Sequence, residues 1–498
     1  MKSTLLRTAL GAAVAVLVFT GQARALTYEE AVPESLRTLV TQAAFDDARS
    51  SLQPLVDGGS LQNNLAAGIA GSPCAPSISR FVQAVYANEP HYQAIFDEIN
   101  AGFTDPPAAY NRANPWRVDF GSSSHQHLIA NLVASFVDWC VFLPQINGDQ
   151  DNGLKYIQNF AWFYYRNPAG QVFTQGFDPM TGEPETVFRD FLEDFSIQRG
   201  AFMNTPESAA YVAQWLNDPR IEIQDYQRQE VADYDSWNDF FAREITIDET
   251  TQTIPSRPTT LPDRDYVVSA PTDCIMNPLV QVLDAGGEIG QVRALIDNPL
   301  TANTIIDVKS YPIALNQLLG NAPESLKQKF VGGTGVACVL MPNTYHHFHT
   351  PVTGEVVHAE VVEIGSNGAL GTYGYFDWPN WVPREGNVGQ PGTDFSQFEV
   401  FQRGVVIIKI SYAGAEPGEV LEGYVASIPV GLDTIGSVVL DSDIVPGAQV
   451  KRGYTRLGNF YYGGSLNILL FSKGIASPAI QVRLGNQIAI LNAGNAPE

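Results

Sequence analysis

Near residue 230 the spacing of apolar residues changes from helical to strand-like, and this commits the chain to two differently built halves. Before that point, Leu128 to Val137 and Glu185 to Arg199 carry helical spacing. In the second of these, Val187, Phe188, Phe191, Leu192 and Phe195 fall on one face, and Pro184 suits the first turn. After it come short β-branched runs separated by Gly and Pro, of which Val405-Val406-Ile407-Ile408-Lys409-Ile410 is the clearest. At 498 residues the chain exceeds what one core holds, so two domains are expected. The reading is an α+β protein, with a helical N-terminal domain over 26–230, a β-rich domain over 231–498, and Asp218 to Asp235 as the junction. No internal repeat is visible. Gly365 to Gly392 is too long for an ordinary connection, and its Trp378 and Trp381 suit a loop that shapes a site better than a disordered excursion.

The first residues indicate a compartment. Lys2 and Arg7 precede an apolar run from Ala9 to Thr20, and Ala23-Arg24-Ala25 is a small-x-small site, which together read as a signal peptide over 1–25. The run is short of the ~20 residues needed to cross a bilayer, and no later segment is long enough either. The expected location is therefore exported, periplasmic or secreted. Cleavage after Ala25 removes three cations and no acid, taking the formal net charge from −24 to −27. Such a chain is poorly suited to nucleic acid or to anionic lipid surfaces. Cys74, Cys140, Cys274 and Cys338 divide two and two between the halves, which leaves both one disulfide per domain and four buried thiols open. His125-Gln126-His127 would offer two ligands from one face of a strand, but no matching Cys or His lies nearby in sequence, and no metal is expected.

Three separated segments carry the candidate chemistry. Gly463-Gly464-Ser465 precedes the apolar run Leu466 to Phe471 and so places a hydroxyl at the mouth of a buried strand. The glycines leave the Gly464 carbonyl open to close approach and permit unusual backbone angles. In Tyr345-His346-His347-Phe348-His349, three of the seven histidines fall within four positions. Val267 to Asp273 runs from a β-branched strand into a turn carrying an aspartate, a suitable orienting group for an imidazole.

These segments, in order, resemble the phosphatidylserine decarboxylase family. Trp237-Asn238-Asp239-Phe240-Phe241-Ala242-Arg243-Glu244 and Arg257-Pro258 are similar to its Phe-Phe-x-Arg segment and the Arg-Pro that follows. Ala270-Pro271-Thr272-Asp273-Cys274 resembles its Ser-Pro-x-Asp-Gly stretch, and Tyr345 to Gly354 its Tyr-His-x-Phe-His-x-Pro-Val-x-Gly pattern. Val430-Gly431, Ile435 to Val438 and Gly458 to Ser465 complete the series. Ala270, Cys274, Thr353 and Leu466 depart from the family pattern without removing a reacting atom.

The resemblance implies that the chain cuts itself between Gly464 and Ser465. Ser465 Oγ would attack the Gly464 carbonyl, and His349, oriented by Asp273, would take its proton. Elimination would then release the upstream chain and leave a dehydroalanine at residue 465, which water hydrolyses to a pyruvoyl group, the cofactor, plus ammonia, on a chain of residues 465–498. The ketone would condense with a substrate amine and draw electrons from the breaking carboxylate bond. His346 would assist decarboxylation or reprotonation, and His347 is read as structural. On strand alternation His346 and His349 point to opposite faces, so a turn or bulge is required to aim them together.

For substrate, the acidic surplus and the signal peptide favour a free L-amino acid. An aromatic one fits, because the extra helical domain resembles the arrangement in the family's tryptophan decarboxylases. The alternative implied by the family is phosphatidylserine to phosphatidylethanolamine in phospholipid synthesis. A further reading is a non-catalytic exported binding protein that keeps the fold.

Overall fold

A computed structural model describes residues 26–102, 124–146, 156, 160, 163, 167–174, 176–282, 292–294, 300–302, 304–308, 311–362, 372–373, 376–377, 402–432 and 438–476. The expected leader over 1–25 lies outside these residues, as do Trp378 and Trp381. The chain divides into two compact units, with the break between Ala210 and Tyr211, so Asp218–Asp235 lies inside the second.

The first unit is helical, built chiefly from Gln42–Asp57, Asn63–Ala70, Ala75–Ala87, Glu89–Ala101, Ser124–Cys140 and Val187–Met203. Its core is aromatic. Phe81 stacks on Phe191 at 4.7 Å, and Phe136 meets Phe191 and Phe195 edge-on, each at 4.8 Å. Burying each ring contributes about 1.5–3 kcal/mol, and the ring geometry adds roughly 0.5–1.5 kcal/mol per pair. A disulfide joins Cys74 to Cys140 across 66 positions, whereas Cys274 and Cys338 in the second unit are free thiols. Arg199 is fully buried because it caps a helix end: Nη1 donates to the carbonyls of Trp139 and Cys140, and Nη2 to that of Phe142.

Two local expectations change. The helix expected from Glu185 begins at Val187, and Pro184 instead forms an isolated bridge with Phe177. His125 and His127 fall in the helix Ser124–Cys140, not in a strand, so the alternation that would have put both on one face does not apply.

The second unit carries sixteen strands among the described residues. A seven-stranded antiparallel sheet has the order β1 (Ile275–Pro278), β6 (Thr334–Val339), β16 (Gly464–Phe471), β12 (Val420–Leu432), β11 (Arg403–Ala413), β8 (Gly354–Val362) and β14 (Gln449–Val450). A three-stranded sheet has the order β13 (Val438–Leu440), β15 (Arg456–Phe460), β7 (His347–His349). Val280–Val282, Val292–Ala294, Ile305–Val308 and Tyr311–Ala314 form β2 to β5 of a four-stranded sheet, and Thr372–Tyr373 pairs with Phe376–Asp377 as β9 and β10. The run read as a strand at Val405 lies in the buried part of β11.

β16 sits between β6 and β12 and is buried on both sides, as its nearly unbroken apolar sequence requires. Leu466, Ile468 and Leu470 enter a core with Val405, Ile407, Ala426, Ile428 and Val430. By alternation, Ser465, Asn467 and Leu469 take the opposite face, and all three are buried as well. Asn467 there accepts from the hydroxyl of Ser427 at 3.2 Å.

Candidate active site

Ser465 is the second residue of β16, an interior strand of the seven-stranded sheet. Its residue pairs with Gly431 of β12, and its carbonyl accepts from the Leu340 amide at 3.1 Å. Two residues before it, Gly463 has φ +150°, a value that side-chain-bearing residues rarely adopt, so the turn into the strand needs glycine there. Ser465 is fully buried, and its Oγ has no hydrogen-bond partner. An unpartnered buried hydroxyl is costly, on the order of 1–3 kcal/mol, and nothing in the surroundings competes for its lone pairs.

The histidine segment reaches this region through two backbone ties. Leu340, which holds Ser465, is followed by a five-residue link to His346, whose carbonyl accepts from the Phe460 amide at 2.9 Å. Phe460 lies five residues before Ser465. β15 therefore leads toward β16 at one end and pairs with the histidine strand β7 along its length. The expected irregularity is present: the strand begins at His347, leaving His346 before it, and the β15 register shifts between Arg456 and Gly458. Gly458 is required at that crowded point, because a Cβ would lie 1.9 Å from the carbonyl oxygen of Val439.

The three imidazoles have different surroundings. His346 is buried, neither ring nitrogen has a partner, and its ring lies 3.8 Å from that of Phe241. Burial, reinforced by the positive Arg243, pushes its pKa well below the ordinary range, so it is neutral. His347 is fully engaged: Nε2 meets the Ala242 carbonyl at 2.8 Å, Nδ1 faces Arg456 at 3.4 Å, and its ring stacks on Tyr345 at 5.0 Å. Burial lowers its pKa to about 3. His349 is lowered by burial to about 4. Its Nδ1 lies 2.8 Å from the Tyr454 carbonyl and its Nε2 3.0 Å from the Tyr345 hydroxyl.

These contacts correct the expected orienting pair. Asp273 does not hydrogen-bond His349. Its carboxylate takes a two-pronged contact from Arg257, at 3.0 and 3.1 Å from Nε and 3.0 Å from Nη2. The orienter of His349 is the Tyr454 carbonyl, and the charge of Asp273 acts on the ring only at longer range. Asp273 remains close in the fold, since the His349 amide donates to the carbonyl of Pro271, two residues earlier.

The short helix Trp237–Phe241 braces the site. Ser236 caps it by accepting from the Asp239 amide at 3.1 Å, and Asn238 accepts from the Tyr462 amide at 3.1 Å. Phe241 contacts both the His346 ring and, edge-on at 5.3 Å, the ring of Tyr462. Arg243 then donates from Nη2 to the carbonyls of Asn343 and Thr344, with its guanidinium over the rings of Tyr226 and Phe240. It thereby fixes the turn that leads into Tyr345. Phe241, Arg243 and Arg257 were visible as motif residues, but nothing in their spacing announced these partners. The Tyr454 carbonyl carries no sequence signal at all. Among the described residues, no group of His, Cys, Asp and Glu could hold a metal ion.

Known proteins match the part of the chain that holds these groups. The profile of the phosphatidylserine decarboxylases matches residues 237–490, which span the bracing helix, the histidine segment and Ser465. A phosphatidylserine decarboxylase proenzyme of Fusobacterium nucleatum is 25% identical over 311 residues, covering 62% of this chain and 80% of that protein. Decarboxylase iboD of Amanita muscaria is 25% identical over 242 residues, 48% of this chain and 58% of that protein. Phosphatidylserine decarboxylase proenzyme 3 of Schizosaccharomyces pombe is 24% identical over 289 residues, 58% of this chain but 24% of that protein.

Proposed function

The chain belongs to the phosphatidylserine decarboxylase family, a family of pyruvoyl-dependent carboxy-lyases, and from that premise we propose that it makes its own cofactor from Ser465 and acts on phosphatidylserine. The observation that carries the first part is the buried, unpartnered Oγ of Ser465 behind the positive φ of Gly463. A residue that is to lose its hydroxyl and become a ketone needs an oxygen engaged with nothing else, and Ser465 fits.

Self-cleavage then uses groups of the chain itself. Ser465 Oγ bonds to the carbonyl carbon of Gly464, the amide C–N bond breaks, and the hydroxyl proton passes to His349 and on to the departing amine. His349 can accept only at Nε2, because Nδ1 faces a backbone carbonyl and must carry the hydrogen. The pyruvoyl group, once formed, supplies an electron sink for the bond that releases carbon dioxide. His346, neutral and unpartnered against Phe241, holds or returns the proton at the substrate carbon.

The names of the bacterial and fungal relatives favour phosphatidylserine over the free amino acid expected from charge. The net charge of −24, together with the lack among the described residues of any helix long and apolar enough to cross a membrane, supports a free L-amino acid as the second reading. Export is part of the proposal. The Cys74–Cys140 disulfide supports it, since such bonds persist in oxidising compartments. The test is carbon dioxide release measured side by side from phosphatidylserine vesicles, free serine and free tryptophan. Preference for vesicles upholds the lipid reading, and preference for an amino acid replaces it. An intact, inactive chain points to the binding protein.

A further inference from the structure

We infer that Cys274 and Cys338 are the site of a second disulfide, closed in the folded chain by exchange with a small disulfide oxidant. Cys274 stands where the chain departs from the family pattern, so the pair is this chain's own. Sheet register brings the two sulfurs together. Met276 of β1 pairs with Cys338 of β6, and Cys338 pairs on its other side with Asn467 of β16. Residues paired in this way share a face of the sheet, and Cys274, two residues before Met276, returns to that face by alternation. There the two thiol side chains hydrogen-bond each other. Two sulfurs in contact on one face of neighbouring strands meet the first geometric requirement of a disulfide.

Access to the two thiols differs. Cys338 is buried in β6, an interior strand, whereas Cys274 is half-buried just before β1, the edge strand of the sheet. An oxidant arriving from solvent therefore meets Cys274 first. No ladder pairing of β1 includes Cys274, since the register begins at Ile275, so drawing its sulfur to bonding distance leaves the pairing of β1 with β6 in place. The contact with Cys338, burial and the charge of Asp273 hold the Cys274 thiol above its ordinary range, which makes exchange slow near neutral pH. The chain already carries a disulfide, Cys74–Cys140, and such bonds persist where oxidants of this class are present.

The step balances with the small disulfide as oxidant. The Cys274 thiolate attacks one sulfur of that disulfide, its S–S bond breaks, and one thiol leaves with the proton that Cys274 gave up. Cys338 then attacks the Cys274 sulfur of the mixed disulfide, and the second thiol leaves with the proton of Cys338. Two protein thiols are oxidised, one small disulfide is reduced to two thiols, and no other electron acceptor is needed. The new bond ties the residue after Asp273 to β6, and Leu340, two residues beyond Cys338, donates to the Ser465 carbonyl. Both cysteines lie upstream of Ser465, so closure does not depend on whether the chain splits.

The test holds the full chain, first treated with a mild reductant, for a long period in a mildly alkaline buffer of oxidised and reduced glutathione. The sample is quenched with N-ethylmaleimide and mapped by mass spectrometry without reduction. Wild type should lose both alkylatable thiols and show peptides joined through Cys274 and Cys338, with Cys74–Cys140 unchanged. Cys338→Ser should stop at a glutathione adduct on Cys274, and Cys274→Ser should leave Cys338 unreacted until the chain is unfolded. Two alkylatable thiols remaining in wild type, a glutathione adduct that persists on Cys274, or a bond from either residue to Cys74 or Cys140 overturns the site. Should a serine variant fail to fold, the wild-type map decides alone.

Discussion

Phe241 lies against His346 with ring centres 3.8 Å apart and planes inclined by 30°, the closest aromatic contact at the site. The same phenylalanine touches Tyr462, three residues before Ser465. One side chain thus touches both the proposed proton donor of the decarboxylation and the segment that leads into the bond proposed to be cut. His346→Ala should still split yet turn over substrate at least about 10²-fold more slowly, the usual contribution of a general acid or base. Phe241→Leu should retain splitting and lose about tenfold in turnover per split chain. Gel densitometry with carbon dioxide release separates the two effects, and a Phe241→Leu chain that turns over normally would remove the stack from the mechanism.

Ser465→Ala should abolish both splitting and activity, because no other residue can supply the oxygen. Asn238→Ala is the subtler test. Asn238 accepts from the Tyr462 amide, and losing that contact costs roughly 1–3 kcal/mol, or about 5–150-fold if it is fully felt in the splitting step. Mass spectrometry should show Ser465→Ala intact at 498 residues less any leader. Asn238→Ala should show a slowly growing fragment beginning at a blocked residue 465.

Arg257 binds three carboxylates, Asp273, Asp225 and Glu222, and so anchors the turn before β1. If Asp273 acts through that anchor, Asp273→Asn and Arg257→Gln should slow splitting by similar factors, and the double variant should be little worse than either. Independent, additive losses in this cycle would show that Asp273 acts on His349 by itself.

Stability should fall on acidification. His346, His347 and His349 are all depressed by burial, the latter two from the ordinary 6.5 to about 3 and about 4. Below pH 6.5 the unfolded chain binds protons that the folded chain refuses. Stability is therefore complete above about pH 6.5 and declines as pH drops toward those folded values, by about 1.4 kcal/mol per pH unit for each histidine. Urea unfolding of the Ser465→Ala chain at pH 7, 6 and 5 should show this decline. His347→Gln should flatten it by one proton, and an unchanged slope would mean that His347 is not held neutral.

What the sequence determined by itself is what local spacing controls. The change of periodicity near residue 230 announced helices followed by strands, and the run from Val405 to Ile410 announced a buried strand, because burial on both faces demands an unbroken apolar run wherever that strand pairs. The ordered motifs ending in Gly463-Gly464-Ser465 were enough to point to the family, since motif residues and their order are written in the chain itself. Only the tertiary structure decided which groups meet. Asp273 looked free to orient His349, yet a guanidinium sixteen residues away binds it in two-pronged fashion, and a carbonyl 105 residues away orients the imidazole instead. A backbone carbonyl has no residue identity to read, and a carboxylate goes to whichever cation the folded chain brings within hydrogen-bond reach. Pairing of β15 with both β7 and β13 placed the histidines beside the route into Ser465, and that pairing is a property of the sheet, invisible in any one of its strands.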